Sequence, residues 1–179
     1  MSSLYIAVEI DNETKKELEK KQLILKQNSE DGDFEDSTKF HITVRFLADN
    51  EKDSHLAIEG LKLFEERYKS KRFTVEAKNF YNFEQGVSWV GVHNSMPLYK
   101  IKYQIEECLK EVGFPLKEDT HDGYTPHITM GYNVKENNNW NKEFKAISFI
   151  VDNISLWNGF KANDTYIHNK LYGVKLEDR

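Results

Sequence analysis

Two histidines are each followed, two residues on, by a threonine: His41-Ile42-Thr43 and His127-Ile128-Thr129. The first lies in Lys-Phe-His-Ile-Thr-Val-Arg-Phe-Leu at 39–47, the second in Tyr-Thr-Pro-His-Ile-Thr-Met-Gly-Tyr at 124–132. Both stretches are rich in β-branched and aromatic residues, which predicts strands. On a strand, residues i and i+2 share a face, so each copy presents an imidazole beside a hydroxyl. Imidazole titrates near neutrality and is the usual general acid or base. Two such pairs facing one another would put a proton acceptor and a proton donor on either side of one phosphate. The threonine hydroxyls could then donate to its non-bridging oxygens. In-line displacement at a phosphodiester needs that set of groups and requires no metal.

The first strand supplies a parity argument for where these groups point. His41, Thr43 and Arg45 alternate with Phe40, Ile42, Val44 and Phe46. If the apolar set faces the core, the polar set faces a cleft. Arg45 then becomes a candidate phosphate ligand, able to bind bidentately, and Lys39 continues the same face.

The remaining elements must carry the two strands. A strand is predicted over 4–10, then a helix over 13–28 capped by Asp11-Asn12, with Leu18, Leu23, Ile24 and Leu25 inward. The acidic stretch 29–38 reads as a loop and a mobile flap. After the first motif strand comes a helix over 52–69 with Ala57, Leu61, Phe64 and Tyr68 on its core stripe. A strand follows over 72–78, then a loop framed by Tyr81, Phe83 and Gly86, and a strand over 87–93. Pro97 opens a helix over 96–112 striped by Leu98, Ile101, Ile105, Cys108, Leu109 and Val112, and Gly113 stops it. A polar loop, 117–125, leads to the second motif strand; 133–142 reads as a loop, 144–151 and 154–157 as strand, 158–165 as a turn and 168–176 as a last strand.

Strand, helix, polar loop and His strand thus occur twice at similar spacing. The expectation is one α+β domain over 1–179, bilobal and internally duplicated about a pseudo-two-fold, with a sheet in each lobe and the two motifs across a central groove.

Composition sets bounds. The chain has 179 residues, 39% hydrophobic and 13% aromatic, enough for a core, with a net charge of −5 that excludes a broad nucleic-acid-coating surface. Its one cysteine, Cys108, excludes an internal disulfide and reads as core packing. No signal peptide or membrane span is read from the N-terminus, so a cytoplasmic protein is expected. A monomer with no obligate protein partner and no cofactor is expected.

His-Ile-Thr-Val-Arg-Phe-Leu and Pro-His-Ile-Thr-Met resemble the two signature motifs of the 2H phosphoesterase superfamily. The similar branch is that of the RNA 2′,3′-cyclic phosphodiesterases, also called 2′-5′ RNA ligase-like proteins. The resemblance extends over most of the chain, including the opening strand Leu-Tyr-Ile-Ala-Val-Glu-Ile and the Trp89 strand. It implies hydrolysis of a 2′,3′-cyclic phosphate on an RNA end or nucleotide to a 2′-phosphate. His41 and His127 would be the acid/base pair, and Thr43 and Thr129 would bind the phosphate. Many members of that branch carry Arg five residues after the second histidine; here Tyr132 stands there. Tyr132 supplies a hydrogen bond or a base platform but no cation. That departure keeps 2′-5′-linked and cyclic oligonucleotides open as alternative substrates. Tyr5 and Tyr124 are further aromatic candidates, and burial is expected for Trp89.

Two rivals stand beside this reading. Asp119, His121, Asp122 and His127 could in principle ligate a metal, but their spacing matches no known ligand pattern. The groove could also bind a nucleotide or RNA end without turning it over. Which histidine is acid and which is base does not follow from the sequence.

Overall fold

Asp11 starts the first helix by accepting from the Thr14 N–H at 2.8 Å and the Thr14 hydroxyl at 2.6 Å, two contacts that satisfy the opening turn. The computed structural model describes residues 2–119 and 123–178. In chain order they form β1 (Ser2–Glu9), α1 (Asn12–Gln27), β2 (Ser29–Phe34), β3 (His41–Ala48), α2 (Ser54–Tyr68) and β4 (Phe73–Phe83). There follow β5 (Val87–His93), α3 (Met96–Glu111), β6 (His127–Glu136), β7 (Ile147–Val151), β8 (Asn153–Ala162) and β9 (Thr165–Lys175). A single 3-10 turn, Ser37–Lys39, leads into β3.

Two antiparallel sheets result, in strand order β3-β1-β8-β9 and β2-β6-β5-β4-β7. Each His strand pairs with the strand that opens its own half, β3 with β1 and β6 with β5. The order 3-1-8-9 therefore recurs as 6-5-4-7. This is the bilobal α+β arrangement the duplicated element order predicts.

β2 is the addition that breaks the match. The segment expected as a flap pairs with the outer edge of β6, placing Ser29 opposite Glu136 and Asp33 opposite Tyr132. An edge strand needs backbone partners on one side only, and charged side chains blunt its open side. Its acidic composition therefore hid a strand.

The helices cross between halves. α1 packs on β2 and β7, while α3 packs on α2 and β3. In α1 the inward residues are Leu18, Gln22 and Leu25; Leu23 and Ile24, expected inside, are exposed. Helical spacing selects the 18-22-25 stripe. Gln22, only 2% exposed, is compatible with burial because its amide donates to Glu35 O at 2.7 Å and Met130 O at 2.8 Å.

The parity expected for β3 fails after Thr43. Ala7 lies opposite Thr43 but Ile6 lies opposite Arg45, so Val44 is an extra, bulged residue. A bulge shifts every following side chain to the other face. Arg45 is consequently 8% exposed, and Phe46 turns outward at 46%. β6 has the same defect at the same place: Trp89 lies opposite Thr129 and Ser88 opposite Gly131, leaving Met130 as the extra residue. Both bulges come three residues after the histidine, and Phe46 and Tyr132 occupy equivalent outward positions.

Several strands outrun their expected bounds. β4 continues to Phe83, so Tyr81 and Phe83 are strand residues; β6 continues to Glu136. β7 is shorter than expected, starting at Ile147. The turn expected over 158–165 is just Asn163-Asp164, both left-handed at φ 49° and 63°, the conformation of a tight hairpin. The cores of α2 and α3 and the burial of Cys108 and Trp89 agree with expectation.

Candidate active site

β3 and β6 approach each other where the two sheets meet, and this brings the two His-x-Thr pairs to one groove. The His41 Nδ1–H donates to the Lys39 carbonyl at 2.8 Å, and the His127 Nδ1–H donates to the Thr125 carbonyl at 2.7 Å. A carbonyl can only accept, so in both rings Nδ1 carries the proton. Nε2 is left as the working nitrogen in both, by the same contact to the residue two before. Burial lowers the pKa of each imidazole, partly opposed by its carbonyl bond; the charges of His127 and Lys15 push His41 down further. Desolvation thus favours neutral rings, while mutual repulsion disfavours charging both.

Thr43 and Thr129 are half-buried on the same faces as their histidines. The Tyr124 hydroxyl donates to the Thr43 carbonyl at 2.8 Å, tying the approach to the second strand onto the first. Tyr132 stands in the groove beside Thr129, its hydroxyl pKa raised by burial and by Glu35. Burial raises Glu35 as well. The Tyr5 ring lies 5.6 Å from that of His41.

Arg45, expected in this groove, is not brought to it. Its guanidinium lies under α3, with Nε 2.8 Å from Glu106 and Nη1 3.3 Å from Asp119, and it donates to the Lys117 carbonyl at 2.5 Å. The Nε contact is an ion pair without hydrogen-bond alignment. Lys102 joins both carboxylates, at 2.9 Å and 3.0 Å. The bulge at Val44 is the physical cause. Of the residues considered as metal ligands, Asp119 belongs to this network, while His121 and Asp122 lie outside the described residues.

The structure adds neighbours that the sequence reading missed. Trp89 is sandwiched between Tyr81 and Phe83, at 4.8 Å and 4.7 Å between ring centroids. The edges of Phe83 and Trp89 meet His127 at 5.1 Å and 5.5 Å. On the other side, His168 of β9 lies 6.1 Å from His41 and hydrogen-bonds the Tyr5 hydroxyl. Burial, with help from His41 and Lys39, lowers the pKa of His168 to about 4. The alternation Tyr166-Ile167-His168 on a strand, with an aromatic ring and an imidazole on one face, was the available signal.

A family model described as the 2′-5′ RNA ligase superfamily matches residues 13–160. The chain belongs to the 2′-5′ RNA ligase superfamily. It is 25% identical over 182 residues to a Thermotoga maritima protein named RNA 2′,3′-cyclic phosphodiesterase, covering 97% of this chain and 95% of that one. Its fold is that of E. coli LigT, solved with 3′-AMP: TM-score 0.78 at 18% identity, covering 98% and 97% of the two chains. TT0787 of Thermus thermophilus shares it too, with TM-score 0.74 at 13% identity, covering 97% of each chain.

Proposed function

We propose that the protein hydrolyses a 2′,3′-cyclic phosphate to a 2′-phosphate, using His41 and His127 as a metal-independent acid/base pair. The observation that carries this reading is the matched tethering of the two imidazoles. Each Nδ1 is committed to a backbone carbonyl, which leaves two Nε2 atoms for one phosphate. The name of the Thermotoga maritima relative supports the same substrate class.

In this mechanism one imidazole enters neutral and the other charged. The neutral Nε2 takes a proton from water as the water oxygen attacks phosphorus. The bond from phosphorus to the 3′ oxygen breaks in line, and the charged imidazole gives its proton to that oxygen. A 2′-phosphomonoester and a free 3′-hydroxyl result, and the two imidazoles end with exchanged protonation. Thr43 and Thr129 donate to the non-bridging oxygens, where negative charge builds. Tyr132 adds a neutral donor beside Thr129.

The test is hydrolysis of a nucleoside 2′,3′-cyclic phosphate in the presence of EDTA, with phosphorus NMR to locate the product phosphate. Wild type is expected to give the 2′-phosphate. His41→Ala and His127→Ala are each expected to abolish turnover, by about two to four orders of magnitude, and to melt near wild type. Unfolding of either variant would show the histidines to be structural and would overturn the reading.

A further inference from the structure

A cavity of about 470 Å³ opens beside His41, on the face of sheet β3-β1-β8-β9. That volume lies within the range of roughly 300–1,000 Å³ typical of ligand sites. The cavity adjoins the groove through His41, which lines it, whereas Thr43, His127 and Thr129 do not, so it extends beyond the two His-x-Thr pairs.

Its chemistry is that of a nucleotide site. Trp157 and Tyr166 supply aromatic walls, and Tyr166 is 40% exposed. Lys15 and Lys39 supply ammonium groups that donate to backbone carbonyls, Thr38 O at 2.7 Å and Tyr166 O at 2.9 Å. Neither ammonium is in an ion pair among the described residues. Two carboxylates also line the cavity, and both are engaged. Glu9 pairs with Lys170 at 2.6 Å. Asp36 accepts from the Thr38 N–H and hydroxyl, at 2.9 Å and 2.7 Å. Glu9 is offset by Lys170, and Asp36 lies within reach of the Lys15 and Lys39 charges and offsets one of them. The balance stays positive and sits next to aromatic faces, the pairing that holds single-stranded nucleic acid. The wall at His127 differs: there Tyr81, Trp89 and Phe83 form an aromatic stack, and among the described residues no cation lies over these rings.

We infer that this cavity is a subsite for the nucleotide immediately upstream of the cyclic phosphate, so that a dinucleotide end is bound and turned over in preference to a mononucleotide. The inference rests on the phosphodiester site proposed above. The upstream base stacks on Tyr166 or Trp157, and its phosphodiester lies between Lys15 and Lys39. His168, which lines the cavity 6.1 Å from His41, fits this path, because a neutral imidazole offers hydrogen bonding without a competing charge.

The experiment compares a dinucleotide and a mononucleotide 2′,3′-cyclic phosphate by kcat/KM, and the matching 2′-phosphates by calorimetric binding. Wild type is expected to favour the dinucleotide by roughly ten-fold or more, the worth of one stacked base. Its binding is also expected to fall more steeply with salt, by about 0.7 in the log–log slope per phosphate contacted. Tyr166→Ala should bring the ratio toward one and Tyr166→Phe should keep it. Lys15→Gln combined with Lys39→Gln should remove the extra salt dependence. Equal handling of both ligands by wild type overturns the subsite, as do variants that weaken both in the same proportion. Turnover of the mononucleotide without any length preference leaves the proposed activity standing and the subsite refuted. With no turnover of either substrate the activity fails, and the binding ratio still decides the subsite.

Discussion

Replacing Arg45 with methionine separates two roles for that residue. Sequence parity makes it a phosphate ligand; the bulge makes it part of a buried ion network under α3. Arg45→Met keeps an unbranched apolar stem and deletes the charge. Removing one partner from a buried pair costs about 3–5 kcal/mol when the other is stranded. Here neither carboxylate is stranded, because Lys102 still reaches Glu106 at 2.9 Å and Asp119 at 3.0 Å. The Lys117 carbonyl does lose its donor. We therefore expect a loss of about 2–3 kcal/mol, below the stranded-charge range. At about 2–4 °C per kcal/mol for a chain of this size, Tm should fall by about 4–12 °C. Urea titration would give the free energy, and steady-state hydrolysis of a nucleoside cyclic phosphate would give KM, which should stay within about two-fold of wild type. A ten-fold rise in KM with Tm unchanged would refute the reasoning and return Arg45 to the substrate.

Gln22→Leu should destabilise despite improving the apolar stripe of α1. It orphans the Glu35 carbonyl, at about 1–3 kcal/mol, while the Met130 carbonyl keeps the Glu35 N–H at 2.9 Å; a urea midpoint equal to wild type would show the Gln22 bonds to be dispensable. For pH, His168 is held near 4 against an ordinary 6.5. The unfolded chain therefore takes up a proton that the folded chain refuses. Stability should be full above pH 6.5 and should decline as pH falls toward 4, and His168→Gln should flatten that slope. Because burial also depresses His41 and His127, the acid limb of kcat/KM for free enzyme should lie below 6.5; an acid limb above pH 7 counts against the buried, tethered rings.

The placement of the two His-x-Thr pairs is more legible in the sequence than their setting. Period-two alternation exposes His41 and Thr43, and His127 and Thr129, because each pair lies before its bulge. The alternation misleads from Val44 onward, since nothing in Val-Arg-Phe announces an extra residue. β2 was invisible for a different reason: its stability comes from the edge of β6, and its own side chains are acidic. Gln22 looks like a surface residue until the two carbonyls that receive its amide are known. His168 and the Tyr81–Trp89–Phe83 stack depend on contacts between strands far apart in sequence, which no local pattern carries. The duplicated element order, by contrast, survives because pairing of neighbours in space follows it directly.

The placement of β1 also governs how the molecule can be made. β1 lies between β3 and β8, with Ser2 opposite Phe160. The first strand of the fold thus waits for the eighth. All five strands of the other sheet fall within residues 29–151, so that lobe can close while the C-terminal hairpin is still being translated. Until then Leu4, Ile6 and Val8, each fully buried in the finished protein, have only β3 to cover them. Contacts so distant along the chain make for slow assembly and a vulnerable nascent state. The strand that supports the first histidine gains its second neighbour only once β8 has been translated.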